Sequence, residues 1–115
     1  PGIEIVTAAV DLDAHVRDAD LVITGEGRID FQTVHGKTPI GVARVAKRHG
    51  KPVIGIAGSL GANVGVVHAH GIDAVFSVLG RPCTLDEALG EAAANVELTA
   101  RNVAAVLRLG ALAQS

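Results

Sequence analysis

Three short apolar runs, rich in β-branched residues, punctuate the chain: Leu21-Val22-Ile23-Thr24, Pro52-Val53-Ile54-Gly55-Ile56-Ala57-Gly58 and Ala74-Val75-Phe76-Ser77-Val78-Leu79. Runs of this length without polar alternation read as strands buried on both faces, as in the centre of a parallel sheet. The segments between them read as helices. One spans Pro39 to His49: Pro39 suits the first helical turn, where its missing N–H removes no bond, and Gly50 suits the position just past the end. A shorter helix from about Asn63 to His70 closes at Gly71. Ahead of the first strand, Ile3 to Ala9 forms a helix or helix end, and Asp11 is the N-cap expected for a short helix from Leu12 to Ala19. The order β-α-β-α-β implies a parallel sheet with right-handed crossovers.

The last segment opens with a capping box, Thr84-Leu85-Asp86-Glu87, and continues with apolar residues at Leu85, Ala88, Leu89, Ala92, Val96, Ala100, Val103 and Leu107. A straight helix from Leu85 to Leu112 would be about 42 Å long. A compact chain of this size has a radius of gyration of only about 13 Å. The helix is therefore expected to kink near Gly90, or to extend across a neighbouring element that the chain does not contain. The fold class is α/β, with a flavodoxin/Rossmann-like three-layer core and a long C-terminal helix, and residues 1–115 form a single segment.

Ligands of open parallel sheets bind outside the carboxyl ends of the strands. Gly25 to Lys37, Gly58 to Gly61 and Gly80 to Cys83 all fall on that edge. The first of these loops is thirteen residues long, where strand-to-helix connections typically take about 2 to 6. It carries Glu26, Arg28, Asp30, Gln32, Thr33, His35 and Lys37 among three glycines. Two nucleotide motifs nearly fit. Gly36-Lys37-Thr38 ends a P-loop whose first glycine would be residue 31, which is Phe31; Gly25-Glu26-Gly27 starts a dinucleotide fingerprint that needs glycine at Asp30. Each fails at a residue its mechanism requires.

The local physics remains. Gly25 and Gly27 admit backbone conformations closed to other residues and let a ligand approach the main chain. Lys37 before a helix N-terminus, Gly36 and the planar donor fork of Arg28 read as a site for phosphate or a small organic acid. Glu26 and Asp30 offer a general base for a substrate hydroxyl or ligands for Mg²⁺ with a nucleotide. The competing reading is that Arg28 and Lys37 pair with Glu26 and Asp30 to brace a long loop, since ion-pair networks also occur without function. Ser59 lies in a second loop that faces the ligand or simply packs as a tight turn. His68 and His70, two apart on a helix, diverge around its axis and make a poor metal pair. His15 and His49 read as solvated helix residues.

Composition narrows the partners. The chain has 115 residues, 49% of them hydrophobic, and only Phe31 and Phe76 are aromatic, so Val, Ile, Leu and Ala must build the core. A net charge of −2 with mixed signs gives no broad basic face for nucleic acid, and no Tyr or Trp is present to stack on bases. No apolar run is long enough to span a membrane and no leader pattern opens the chain, so a cytoplasmic location is expected. Cys83, the single cysteine, excludes an internal disulfide. The absence of methionine, together with a start at Pro1-Gly2, leads us to expect a piece of a longer protein.

At these residues the chain resembles the bacterial glycerate kinase family. The matching signature runs from Asp18-Ala-Asp-Leu-Val-Ile-Thr-Gly-Glu-Gly-Arg-Ile-Asp30 through Gln32-Thr33 and Gly36-Lys37. It continues in Pro39-Ile-Gly-Val-Ala43, Pro52-Val-Ile-Gly-Ile-Ala-Gly-Ser59, Gly71-Ile-Asp-Ala-Val-Phe-Ser77, Thr84-Leu85 and Ala100-Arg-Asn-Val-Ala104. Phe31 departs from the pattern, which usually has a small residue there. The resemblance implies an ATP- and Mg²⁺-dependent kinase that phosphorylates glycerate, commonly to 2-phosphoglycerate. It also implies a longer protein of two α/β domains, of which this is a C-terminal portion partnered by the N-terminal remainder of the same polypeptide; a homo-oligomer is compatible with it. Asp30 and Glu26 are the expected base or Mg²⁺ ligand. Gly25, Gly27, Arg28, Thr33, Gly36, Lys37 and Ser59 are the expected substrate or phosphate binders. The alternatives are a non-catalytic α/β domain that binds an organic acid or nucleotide, and a kinase for a related hydroxy acid.

Overall fold

The computed structural model describes residues 11–34 and 38–114. The helix expected over Ile3 to Ala9, and His35, Gly36 and Lys37 of the signature loop, lie outside them. Three parallel strands, β1 (Val22–Ile29), β2 (Val53–Leu60) and β3 (Ala74–Ser77), form a sheet in the order β1-β2-β3. Helix α1 (Leu12–Arg17) precedes β1, and α2 (Thr38–Arg48) joins β1 to β2. A 3-10 segment, Val64–His70, replaces the α-helix expected between β2 and β3. Its run of Val64-Gly65-Val66-Val67 combines χ1-restricted β-branched residues with a glycine, both weak helix formers.

The core lies between the sheet and α2. Ile29, Ile40, Ala43, Ala46, Val53, Val67 and Ile72 are fully buried there. Each large aliphatic among them contributes about 1.5–3 kcal/mol by leaving water. Among the described side chains no aromatic belongs to the cluster, and Phe76 is 38% exposed. Asp11 takes the N-cap position of α1 as expected, but in a left-handed conformation, φ 52°, and its side chain makes no capping hydrogen bond. His49 is less solvated than expected, its Nε2 lying 3.0 Å from Asp13 Oδ1.

At the amino edge of the sheet, Asp73 ties three elements together. Its Oδ2 accepts from the Val53 amide at 2.8 Å and from Lys47 Nζ of α2, while its own N–H donates to the Val53 carbonyl. The hydrogen bond from Lys47 is the main reason its carboxyl is held below the ordinary 3.8, with the Val53 amide adding to it. A carboxyl that binds its proton more weakly folded than unfolded stabilises the fold above the unfolded value, and that contribution is lost as pH falls through the lower folded value. Asp73→Asn is therefore expected to flatten the dependence of the thermal midpoint on pH below about 4. It should also cost about 1 kcal/mol at pH 7, the half-exposed ion pair being screened. Parallel acid losses in variant and parent would refute this.

The C-terminal segment breaks where Gly90 led us to expect it. Helix α3 (Leu85–Gly90) ends at Glu91, and α4 (Ala92–Ala113) begins there. The capping box forms in full: Thr84 Oγ1 accepts from the Glu87 amide at 3.1 Å and Glu87 Oε1 accepts from the Thr84 amide at 3.1 Å. Arg81 bridges Glu87 and Glu91, fastening the Gly80–Cys83 loop to α3. The Thr84 amide and then Arg81 hold the Glu87 carboxyl below its usual range. Helix α4 has 22 residues, about 33 Å at 1.5 Å per residue, and only Val103 of it is buried. Among the described residues no helix is long and apolar enough to cross a membrane.

Candidate active site

The sequence placed a loop immediately after Thr24; the structure continues β1 through Gly25-Glu26-Gly27-Arg28-Ile29. Gly25 pairs with Ile56, Glu26 with Ala57, Arg28 with Ser59 and Ile29 with Leu60. Likewise Gly58, Ser59 and Leu60 are the end of β2 rather than a turn. The long connection thus shrinks, and Glu26 and Arg28 sit on the end of β1, beside β2, instead of in a flexible excursion. Gly25 and Gly27 lie in ordinary strand backbone; the glycines with positive φ among the described residues are Gly50 and Gly71.

Beyond β1 the chain turns sharply through a 3-10 turn, Phe31–Val34, and Asp30 caps it. Its Oδ1 accepts from the Gln32 amide at 2.9 Å, while its own N–H donates to Thr33 Oγ1 at 3.1 Å. This reciprocal arrangement has the logic of a capping box, satisfying amides that the turn leaves without partners. Thr33 is 1% exposed, so its hydroxyl serves the turn. The second Asp30 oxygen, Oδ2, accepts from Arg28 Nε at 3.0 Å, with the carboxylate side chain only 14% exposed and Arg28 64%. Both carboxylate oxygens are therefore engaged, and one edge of the guanidinium is fixed while the rest faces solvent.

Gly61 makes this pair possible. A Cβ there would lie 2.7 Å from both Arg28 Nη2 and Asp30 Cβ, so no larger residue fits without displacing them. Sequence reasoning saw Gly61 only as a turn residue; nothing in its spacing revealed that Arg28 and Asp30 would close over it. Glu26 differs from Asp30. It is exposed, and its contact among the described residues is the Gly27 amide, donating to Oε1 at 3.2 Å.

Glu26 borders a cleft of about 430 Å³ whose walls include Gly25, Gly27, Ile56, Gly58 and, from α4, Val96. A second cleft of about 320 Å³ adjoins it and includes Ser59 with Gly27, Gly58 and Leu89. Helices α3 and α4 thus wall the glycine-rich strand ends, a role that their apolar repeat alone did not disclose. Glu26, Arg28, Asp30, Thr33 and Ser59 gather at the carboxyl ends of β1 and β2; Gly36 and Lys37 lie outside the described residues.

The three-stranded parallel sheet with its helices makes this an α/β protein, of the open-sheet class whose ligands bind at the carboxyl edge of the strands. The profile of the glycerate kinase family matches residues 1–108. The chain is 64% identical to glycerate 2-kinase of Escherichia coli K12 across 95% of its own length and 29% of that protein. It is 57% identical to glycerate kinase of Bacillus subtilis 168 across 94% of its length and 28% of that protein. A crystal structure described as glycerate kinase 2 of Salmonella typhimurium LT2 superposes with a TM-score of 0.70 at 60% identity, over 95% of this chain and 26% of that one. The chain belongs to the glycerate kinase family. It spans less than a third of the relatives it matches.

Proposed function

We propose that this chain supplies one wall of a kinase active site, in which the γ-phosphoryl group of ATP passes to a hydroxyl of glycerate. The product on this reading is 2-phosphoglycerate, with 3-phosphoglycerate as the other regiochemical outcome. The observation that carries the proposal is the contrast between the two carboxylates: among the described residues Glu26 borders the main cleft with one oxygen unengaged, whereas Asp30 is committed to Arg28 and the turn.

The donor set fits Mg²⁺, a hard cation that takes oxygen ligands and retains waters. Glu26 is placed to act as general base toward the glycerate hydroxyl or to hold the ion, and Asp30, with both oxygens engaged, is not. When bound with ATP, the ion neutralises charge on the transferring phosphoryl group. The chain's own residues supply position and charge. Arg28, oriented by Asp30, presents its outer N–H groups to a carboxylate or phosphate. Gly25 and Gly27 bring strand backbone to the cleft without side chains. Gly36 and Lys37, which precede α2 in the sequence, would add a small residue and a cation for the same anion.

The reading further holds that the remainder of a longer polypeptide completes the cleft and that the protein works in the cytoplasm. The exposed apolar residues of α4, including Leu98, Val106, Leu107 and Leu109, support this, because a monomer seldom leaves so long an apolar helix exposed. In the full-length protein, ATP consumption is expected to require glycerate and to yield 2-phosphoglycerate by ³¹P NMR. The 115-residue segment alone should show no turnover. Affinity for an organic acid or nucleotide without turnover of any hydroxy acid in the full-length protein would replace this reading with that of a binding module.

A further inference from the structure

The opposite edge of the sheet carries a second concentration of charge. The end of α2 leads into β2 and the 3-10 segment Val64–His70 leads into β3, so both terminate at the amino edge. Between them lies an open groove of about 700 Å³ bordered by Arg44, Lys47, Arg48, His68, His70 and Asp73. That volume falls within the usual range for small-molecule sites, about 300–1,000 Å³.

Charge in the groove is unbalanced. Its one carboxylate, Asp73, is taken up by Lys47 and the Val53 amide, and Lys47 also donates to the Lys51 carbonyl at 3.1 Å. Arg44 and Arg48 form no ion pair or hydrogen bond with another side chain among the described residues. They stand four residues apart on one helical face, where like charges destabilise a helix. The helix C-terminus offsets charge only within the last turn, which accommodates Lys47 and Arg48 but leaves Arg44 outside it. His68 is held by its Nδ1, which lies 2.9 Å from the Ile72 carbonyl; since a carbonyl can only accept, Nδ1 carries the proton and Nε2 is the nitrogen left to the groove.

We propose that this groove is a second anion site, for a small molecule bearing a diphosphate. Two guanidiniums whose Cβ atoms are about 5–6 Å apart can each grip one phosphoryl group through paired N–H donors, which a single carboxylate would not use. The site lies at the end of the strands opposite Glu26 and Arg28, so a ligand there would not compete for the cleft. The inference stands on the groove alone and does not depend on the kinase reading.

The test uses magnesium-free inorganic pyrophosphate and the imidazole NMR resonances of His68 and His70 in the full-length polypeptide. Both resonances are expected to shift saturably, and the Arg44→Gln/Arg48→Gln variant should weaken the midpoint at least tenfold while Arg101→Gln leaves it unchanged. Shifts reproduced by sodium chloride at equal ionic strength, or an unchanged midpoint in the double variant, would overturn the proposal. Should the double variant lose its cooperative melt, Arg44→Gln alone reads the same loss, its guanidinium being exposed and before the last helical turn. Because no turnover is measured, failure here is separate from failure of the kinase reading.

Discussion

A Glu26→Gln variant of the full-length protein is expected to lose about 10²–10⁴ of its kcat for glycerate phosphorylation, the usual contribution of a positioned base. The fold should be untouched. Glu26 is exposed on β1 and its contact among the described residues is one neighbouring amide, so the substitution belongs with surface changes worth within about 0.5 kcal/mol. Asp30→Asn should behave differently. An asparagine oxygen can still accept from the Gln32 amide, but the other position becomes an amino group facing Arg28 Nε, donor against donor. Arg28 would swing free. If Arg28 grips the substrate anion, the result is a raised KM for glycerate with a smaller fall in kcat. Thermal midpoints and steady-state kinetics of the two variants separate the roles. An Asp30→Asn enzyme that lost kcat as severely as Glu26→Gln, at unchanged KM, would move the chemistry to Asp30.

That division of labour was not readable from residue spacing. Glu26, Arg28 and Asp30 alternate along the chain, and spacing allows Arg28 to pair with either carboxylate. What decides is the sharp turn after Ile29. It needs a cap, Asp30 provides one, and the capping geometry turns its second oxygen toward Arg28. The strand extension was hidden for a similar reason. Glycine and charged residues are poor strand formers on average, so Gly25-Glu26-Gly27-Arg28 reads as loop. Pairing of Gly25, Glu26 and Arg28 with Ile56, Ala57 and Ser59 nevertheless gives the backbone its ladder partners, and tertiary pairing overrides propensity.

The apolar runs behaved otherwise. Val53 to Ala57 is flanked by β1 and β3 and packs on α2, so its β-branched composition and its burial say the same thing. The parallel sense of the strands was legible from the alternation of strand and helix, and the break near Gly90 from a glycine inside a helical repeat, whereas the strand order was not. Helix α4 was legible as a helix but not as a wall of the cleft. Its repeat identifies an apolar stripe, and only the three-dimensional path brings Ala92 and Val96 beside Ile23 and Ile56.

Gly58→Ala is expected to be the most damaging single methyl addition among the described strand glycines. Its Cβ would stand 2.6 Å from the Gly27 carbonyl oxygen, a backbone atom that no rotamer change can move. Strands β1 and β2 would have to separate at the edge where Arg28 and Ser59 pair. Overpacking of this kind costs about 1–3 kcal/mol, and here the displaced atoms are those that carry Glu26 and Arg28. Stability and turnover should therefore fall together. Gly27→Ala is the control, because a Cβ at Gly27 meets nothing within 4 Å. That variant should keep the thermal midpoint of the parent, so any loss of turnover in it reports the approach of ligand to the strand backbone rather than a disturbed sheet. Equal midpoints for the two alanine variants would mean that β1 and β2 part without cost at this point, and that the close approach of Gly58 to Gly27 does not hold the cleft in shape.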